Sequence, residues 1–159
     1  MDQKPPRQAR PHQLAAGLKL VPLELVDADD IVEIATQSFP VVWSKDDFAH
    51  FLTHQSGLCL GIASESPRKV HSYFLALLAQ GDVDVISIAT HPEKRGQGLG
   101  TTLLRHVFDA AHVARVFLEV DVNNTSAISL YRKLGFATLG VRKKYYAQKT
   151  DALVMRWSK

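Results

Sequence analysis

Apolar residues recur along this chain in two rhythms, and their order predicts the architecture. Runs that are apolar or alternating at 18–26, 58–63, 70–79, 83–90, 115–120, 136–142 and 152–157 predict strands. Between them the spacing changes to 3.6. Ile31, Ile34 and Ala35 predict a helix opened by the side-chain caps of 27–30 and closed by Phe39 and Pro40. Ser44 or Asp46 caps a second helix through Phe48, Phe51 and Leu52, and Leu99, Leu103, Leu104, Val107 and Ala111 mark a third. A fourth carries Ala127, Ile128, Leu130, Tyr131 and Leu134, starts within 123–126 and ends at Gly135, where a left-handed cap belongs.

The turn-like 64–67 segment suits antiparallel neighbours. The helix crossing from 83–90 to 115–120 forces those two strands to run parallel. The expected fold is therefore α/β (mixed α+β), a central mixed sheet with helices on both faces. The C-terminal ends of the two parallel strands face the same loop, and ligands gather at such a place in open sheets.

That loop reads Arg95-Gly96-Gln97-Gly98-Leu99-Gly100-Thr101. Alternating glycines clear side chains from a turn whose amides, with the first free N–H groups of the next helix, suit a phosphate. A nucleotide P-loop would need lysine after its last glycine, and Thr101 stands there. A dinucleotide fingerprint would open directly from a strand with G-x-G-x-x-G. Here the order is G-x-G-x-G, and residues 91–95 intervene. A diphosphate-bearing cofactor or an unliganded glycine turn remains.

Composition adds limits. With 159 residues, 46% hydrophobic and 22% charged, the chain suits one core, expected over 18–159. The formal charge of +3 equals that of residues 1–20, where Lys4, Arg7, Arg10 and Lys19 outnumber Asp2. The charge therefore describes a proline-containing tail, expected to be disordered over 1–17, and no specific nucleic-acid partner is expected. No apolar run reaches the roughly 18 residues of a membrane helix, so no membrane partner and a cytoplasmic location are expected. Cys59 reads as a small buried strand residue. His50 and His54 have metal-pair spacing but neither an intervening glutamate nor a third ligand, so no metal is expected.

Residues 118–136 read LEVDVNNTSAISLYRKLGF. With the glycine turn, this ordered string resembles the GCN5-related N-acetyltransferase (GNAT) superfamily, whose acetyl-coenzyme A signature [QR]-x-x-G-x-[GA] is met by Arg95, Gly98 and Gly100. Phe39-Pro40, Trp43-Ser44, 141–146 and 151–155 are similar to strings of its ribosomal-protein alanine N-acetyltransferase branch. The resemblance spans 20–157. It implies a mostly antiparallel sheet of about seven strands with about four helices, and a slot where the two parallel strands splay, often at a bulge in the first.

It also implies acetyl-CoA as acetyl donor and a protein N-terminus, most simply the N-terminal alanine of a small-subunit ribosomal protein, as acceptor. On this pattern Ile88, Ala89 and Thr90 offer backbone to the pantetheine, Arg95, Gly96, Gln97, Gly98, Leu99, Gly100 and Thr101 hold the diphosphate, and Asn124 touches the cofactor arm. Glu119 becomes the general base and Tyr131 the acid for the coenzyme A thiolate. The residues alone leave Glu119 open between a base and a structural ion pair, and Tyr131 between an acid and a core aromatic. Phe39, Trp43, Arg142, Tyr145 and Tyr146 are peptide-side candidates. Asp121 departs from the branch, which commonly has arginine there, and Val41-Val42 lengthen the first loop. The same chemistry on a small amine or lysine, and a noncatalytic acyl-CoA sensor or ribosome-associated adaptor, are the competing readings.

Overall fold

The computed structural model describes residues 13–146 and 149–159, with Tyr146 by its backbone alone. Among them are seven strands in one sheet, ordered β1-β2-β3-β4-β5-β7-β6, and four α-helices. β1 (Leu18–Pro22), β2 (Gly57–Glu65), β3 (Arg68–Ala79) and β4 (Asp82–Thr90) form an antiparallel meander, with α1 (Ala28–Thr36) and α2 (Lys45–Thr53) inserted after β1. α3 (Leu99–Asp109) then crosses to β5 (Arg115–Asp121), which runs parallel to β4. α4 (Thr125–Lys133), β6 (Ala137–Tyr146) and β7 (Thr150–Ser158) complete the chain, both last strands antiparallel to their neighbours. The mixed, mostly antiparallel sheet expected from the sequence is present.

Two cores lie on the two faces. α3 and α4 cover the larger, where Leu99, Leu103, Leu104, Val107, Ile128 and Tyr131 meet Val83, Val85, Val116, Leu118, Val120 and Met155. α1 and α2 cover the smaller, with Ile31, Ile34, Ala35 and Phe48 against Val70, Tyr73 and Leu75. Burying one such side chain stabilises the fold by about 1.5–3 kcal/mol before chain entropy is counted.

The first strand stops at Pro22, short of the expected Val26. A short 3-10 turn, Leu25–Asp27, follows because the buried Asp27 carboxylate accepts the Glu24 N–H at 2.8 Å and a two-pronged ion pair from Arg68 at 2.7 and 2.8 Å. Burial, the largest single influence, pushes the Asp27 carboxyl up, but the Arg68 hydrogen bonds, the Glu24 N–H and the Arg68 charge together hold it below the usual carboxylate range. The sixth strand runs past the expected Arg142 to Tyr146, with an irregularity between Arg142 and Tyr146. Of the expected tail, residues 1–12 lie outside the described residues. At its other end Leu18 N–H bonds Ala15 O at 3.1 Å, and Leu14 packs against the larger core.

The seam between β4 and β5 shapes the site. The strands pair only at Asp82–Arg115, Val83–Val116 and Asp84–Phe117. Beyond this, β4 carries an extra residue: Ala76 faces Val85 while Leu75 faces Ser87, leaving Ile86 unpaired as a bulge. A bulge bends its strand. The remaining stretch, Ser87 to Thr90, keeps its β3 partners and has no partner in β5.

Candidate active site

The slot leads to the glycine turn. Thr90 ends β4, His91 caps a 3-10 turn over Pro92–Lys94, and α3 starts after Gly98. Gly96 and Gly98 both have φ +76°, the left-handed region that side chains resist. A Cβ on Gly96 would meet nothing within 4 Å, so the backbone turn requires that glycine, not crowding. Gly100 is different: a Cβ there would meet only Thr90 Oγ1 at 4.0 Å, and the glycine keeps the face of the helix start open.

Charge placement separates the helices around the slot from the others. α1 carries Asp29 and Asp30 in its first turn and α2 carries Asp46 and Asp47, which answer their own helix dipoles. α3 and α4 have no acid in their first turns. The unpaired amides and positive dipole end of α3 therefore face the glycine turn uncompensated, an arrangement that fits a diphosphate.

Alternation along β5 puts Val116, Leu118 and Val120 in the larger core and Glu119 on the opposite face. The Glu119 side chain, 18% exposed, accepts a hydrogen bond from Arg142 Nη1 at 2.9 Å. Arg142 also lies over the Tyr145 ring, 4.9 Å from its centroid. A fourth group, Asp84 on β4, belongs to this cluster and was missed by the sequence reading. Burial raises the Asp84 pKa, and the Glu119 charge raises it further while Arg142 opposes both. Tyr145 is likewise raised, by burial first and then by Glu119. The available signal was a charge inside the apolar Val83-Asp84-Val85 run.

Tyr131 sits across the sheet in the α4 core, 9% exposed and packed on Phe136 with ring centroids 5.6 Å apart. Burial pushes its phenol up to about 12, so it remains a protonated donor through the neutral range. Asn124 caps α4, its side-chain oxygen accepting the Ala127 N–H at 3.2 Å. The amide nitrogen is the group left to meet a ligand.

Both Asp121 oxygens serve the fold, one accepting the Asn123 N–H at 2.8 Å and the other the Thr150 hydroxyl at 3.0 Å. The Arg95 guanidinium points to the end of α1, where it donates to Ser38 Oγ at 3.0 Å. Trp43 stacks on Phe51 at 5.3 Å while staying 39% exposed, and Phe39, in the same α1–α2 loop, is also exposed. The Tyr146 side chain lies outside the described residues. Among the described residues no cluster of histidine, cysteine or carboxylates has metal-binding geometry, and no helix is long and apolar enough to cross a membrane. Cys59 is partly buried, its thiol raised to about 11 by burial.

Known proteins share the sequence pattern and the fold of this chain. A Bacillus subtilis (strain 168) protein whose name assigns it provisionally as a ribosomal protein bS18-alanine N-acetyltransferase is 35% identical over 137 residues, 84% of this chain and 90% of that one. The crystal structure of the ribosomal-protein-S18-alanine N-acetyltransferase from Escherichia coli superposes with a TM-score of 0.81 at 27% identity, covering 89% of this chain and 93% of its own. Arabidopsis thaliana NAA60 in complex with acetyl-CoA shares the fold, with a TM-score of 0.79 at 15% identity over 89% of this chain and 99% of that one. The family model described as Acetyltransferase (GNAT) family matches residues 28–136, which include the glycine turn, the split seam and both Glu119 and Tyr131, and the chain belongs to that family of N-acetyltransferases.

Proposed function

We propose that this chain transfers the acetyl group of acetyl-CoA to the α-amino group of a protein N-terminus, with the N-terminal alanine of a small-subunit ribosomal protein, bS18 in its named relatives, as the acceptor. The observation that carries the reading is the split seam, with a half-buried carboxylate on one face of the sheet and a buried neutral phenol on the other. A thioester arm laid along the free edge of Ile88, Ala89 and Thr90 would add a strand-like partner where β5 is missing. Its diphosphate would rest on the amides of 95–101, and Asn124 would offer its side-chain nitrogen to the arm.

The reaction needs a neutral amine, a held carbonyl and a proton for the departing thiolate. An α-amino group titrates near 7.7–8.0 against about 10.4 for lysine, so the N-terminal acceptor is far easier to deprotonate near neutrality. Glu119 takes one proton from the incoming ammonium before attack; as the N–C bond then forms and the C–S bond breaks, Tyr131 gives its proton to sulfur, and the second proton released by nitrogen returns through solvent to the Tyr131 phenolate. Glu119 is then both base and ion-pair partner: Arg142, with 56% of its side chain exposed, can yield the carboxylate to an arriving ammonium. Phe39, Trp43, Arg142, Tyr145 and Tyr146 are proposed for the peptide side. Asp121 is assigned to acceptor preference through the loop it holds.

The test is transfer from labelled acetyl-CoA to peptides beginning with Ala, Ser, Gly or Met, beside N-terminally blocked lysine peptides and polyamines. Selective labelling of the Ala peptide supports the reading. Labelling confined to lysine or polyamines removes the N-terminal acceptor, and coenzyme A binding with no turnover on any acceptor replaces the enzyme with a sensor or adaptor.

A further inference from the structure

We infer that Arg95 is a positioning residue that ties the cofactor turn to the acceptor-side loop, its guanidinium serving the C-terminal end of α1 and not the diphosphate. This rests on the proposal that the glycine turn holds acetyl-CoA. Arg95 Nε donates to Thr90 O at 3.0 Å, which fixes the plane of the guanidinium. Nη2 then reaches Ser38 Oγ at 3.0 Å and Gln37 O at 3.5 Å. Ser38 is itself anchored, donating to Ile34 O at 2.7 Å.

The end of α1 suits such a partner. Its last turn contains no basic residue, and its C-cap, Gln37, is right-handed with no glycine following. The carbonyls there carry the negative end of the helix dipole; those of Val32, Glu33, Ile34 and Ala35 are met by local hydroxyl and N–H donors, and a guanidinium adds the positive charge that these neutral groups lack. Arg95 supplies it from 57 residues downstream of Ser38. His91 adds a second strut, with Nε2 3.4 Å from Gln37 Nε2 and 3.7 Å from Glu33 Oε1.

Position gives this tie its functional meaning. Ser38 is followed directly by Phe39, Val41 and Trp43, whose exposed side chains lie in the loop between α1 and α2. The segment that would hold the diphosphate is thus bolted to the segment that would hold the peptide. The diphosphate is left to backbone amides and the α3 dipole, so loss of the guanidinium weakens acceptor binding more than cofactor binding.

The experiment compares Arg95→Ala, Ser38→Ala, the double variant and Arg95→Lys with the unmodified full chain. Coenzyme A Kd is read by calorimetry, KM and kcat with an Ala-starting peptide, and amide exchange across 35–43 without ligand. The Arg95→Ala change is expected to raise peptide KM about tenfold and Ser38→Ala about threefold, with coenzyme A Kd within about twofold in the latter. The double variant should be no worse than Arg95→Ala, and 35–43 should exchange faster in all. Lysine should not rescue, because one ammonium cannot bridge Thr90 O and Ser38 Oγ as the guanidinium fork does. A coenzyme A Kd raised tenfold by Arg95→Ala, with peptide KM and exchange at 35–43 unchanged and Ser38→Ala silent, would overturn the inference. Should the unmodified chain bind no coenzyme A, the cofactor reading fails, while the exchange measurement still decides the tie.

Discussion

The two ends of the β4–β5 seam carry similar residues and do opposite things. At the closed end Asp82 and Arg115 stand opposite each other and form a two-pronged pair at 2.6 and 2.7 Å, one carboxylate to one guanidinium. Backbone closes around them, with Ala114 and Arg115 N–H groups both donating to Gly81 O. At the open end two carboxylates, Asp84 and Glu119, both feel the guanidinium of Arg142, which bonds Glu119 and must reach from β6 past β7 to do so. The closed end is electrostatically complete. At the open end burial and the Glu119 charge both raise the Asp84 pKa, and it is beside this unevenly matched group that the proposed acceptor ammonium would enter.

The largest effect is expected at the open end, from Glu119→Gln. It should lower kcat about a hundredfold or more while leaving the thermal melt nearly unchanged, as for a lost general base. A loss of stability with turnover intact would return Glu119 to a purely structural ion pair. Tyr131→Phe comes next, with an expected fall in kcat of about ten- to a hundredfold. Unaltered turnover in that variant would leave the ring as packing alone. Gly98→Ala, at φ +76°, forces a side chain into the left-handed region and should cost about 1–2 kcal/mol of stability together with coenzyme A affinity.

Burial holds the phenols of Tyr131 and Tyr73 up to about 12, above the ordinary value near 10. Above that ordinary value the unfolded chain sheds protons that the folded chain keeps, so these groups leave stability whole below pH 10 and withdraw it as pH climbs toward 12. Denaturant melts from pH 8 to 11 should show the decline, and Tyr73→Phe should flatten it. The smallest effect is expected for Arg115→Ala. That exposed pair is screened by water, so neither turnover nor melting should move measurably.

Much of this was readable from the sequence because it is local. The helix started by Ser44 needs only the Asp47 N–H three residues on, and Gly135 closes α4 by its own backbone freedom at φ +98°. The glycine turn was legible for the same reason. What escaped depends on partners far along the chain. The negative charge of Asp121 could be seen, but not its capture by Thr150, 29 residues later. The motif arginine could be seen, but not that its side chain turns from the glycine loop to Ser38. Asp84 matters only because β5 brings Glu119 beside it, a fact of strand pairing that no periodicity in 82–90 contains.

The extra residue in β4 has a consequence for evolution and for engineering. Val85 and Ser87 already face consecutive β3 positions, so excising Ile86 would leave every flanking side chain on its present face and every β3 pairing intact. The shortened strand would run straight and could continue its ladder along β5. Such a protein would be better hydrogen-bonded and would lack the open seam proposed for the thioester. Ile86 is thus a spacer whose worth lies in the bonds it prevents, and selection for stability alone would discard it.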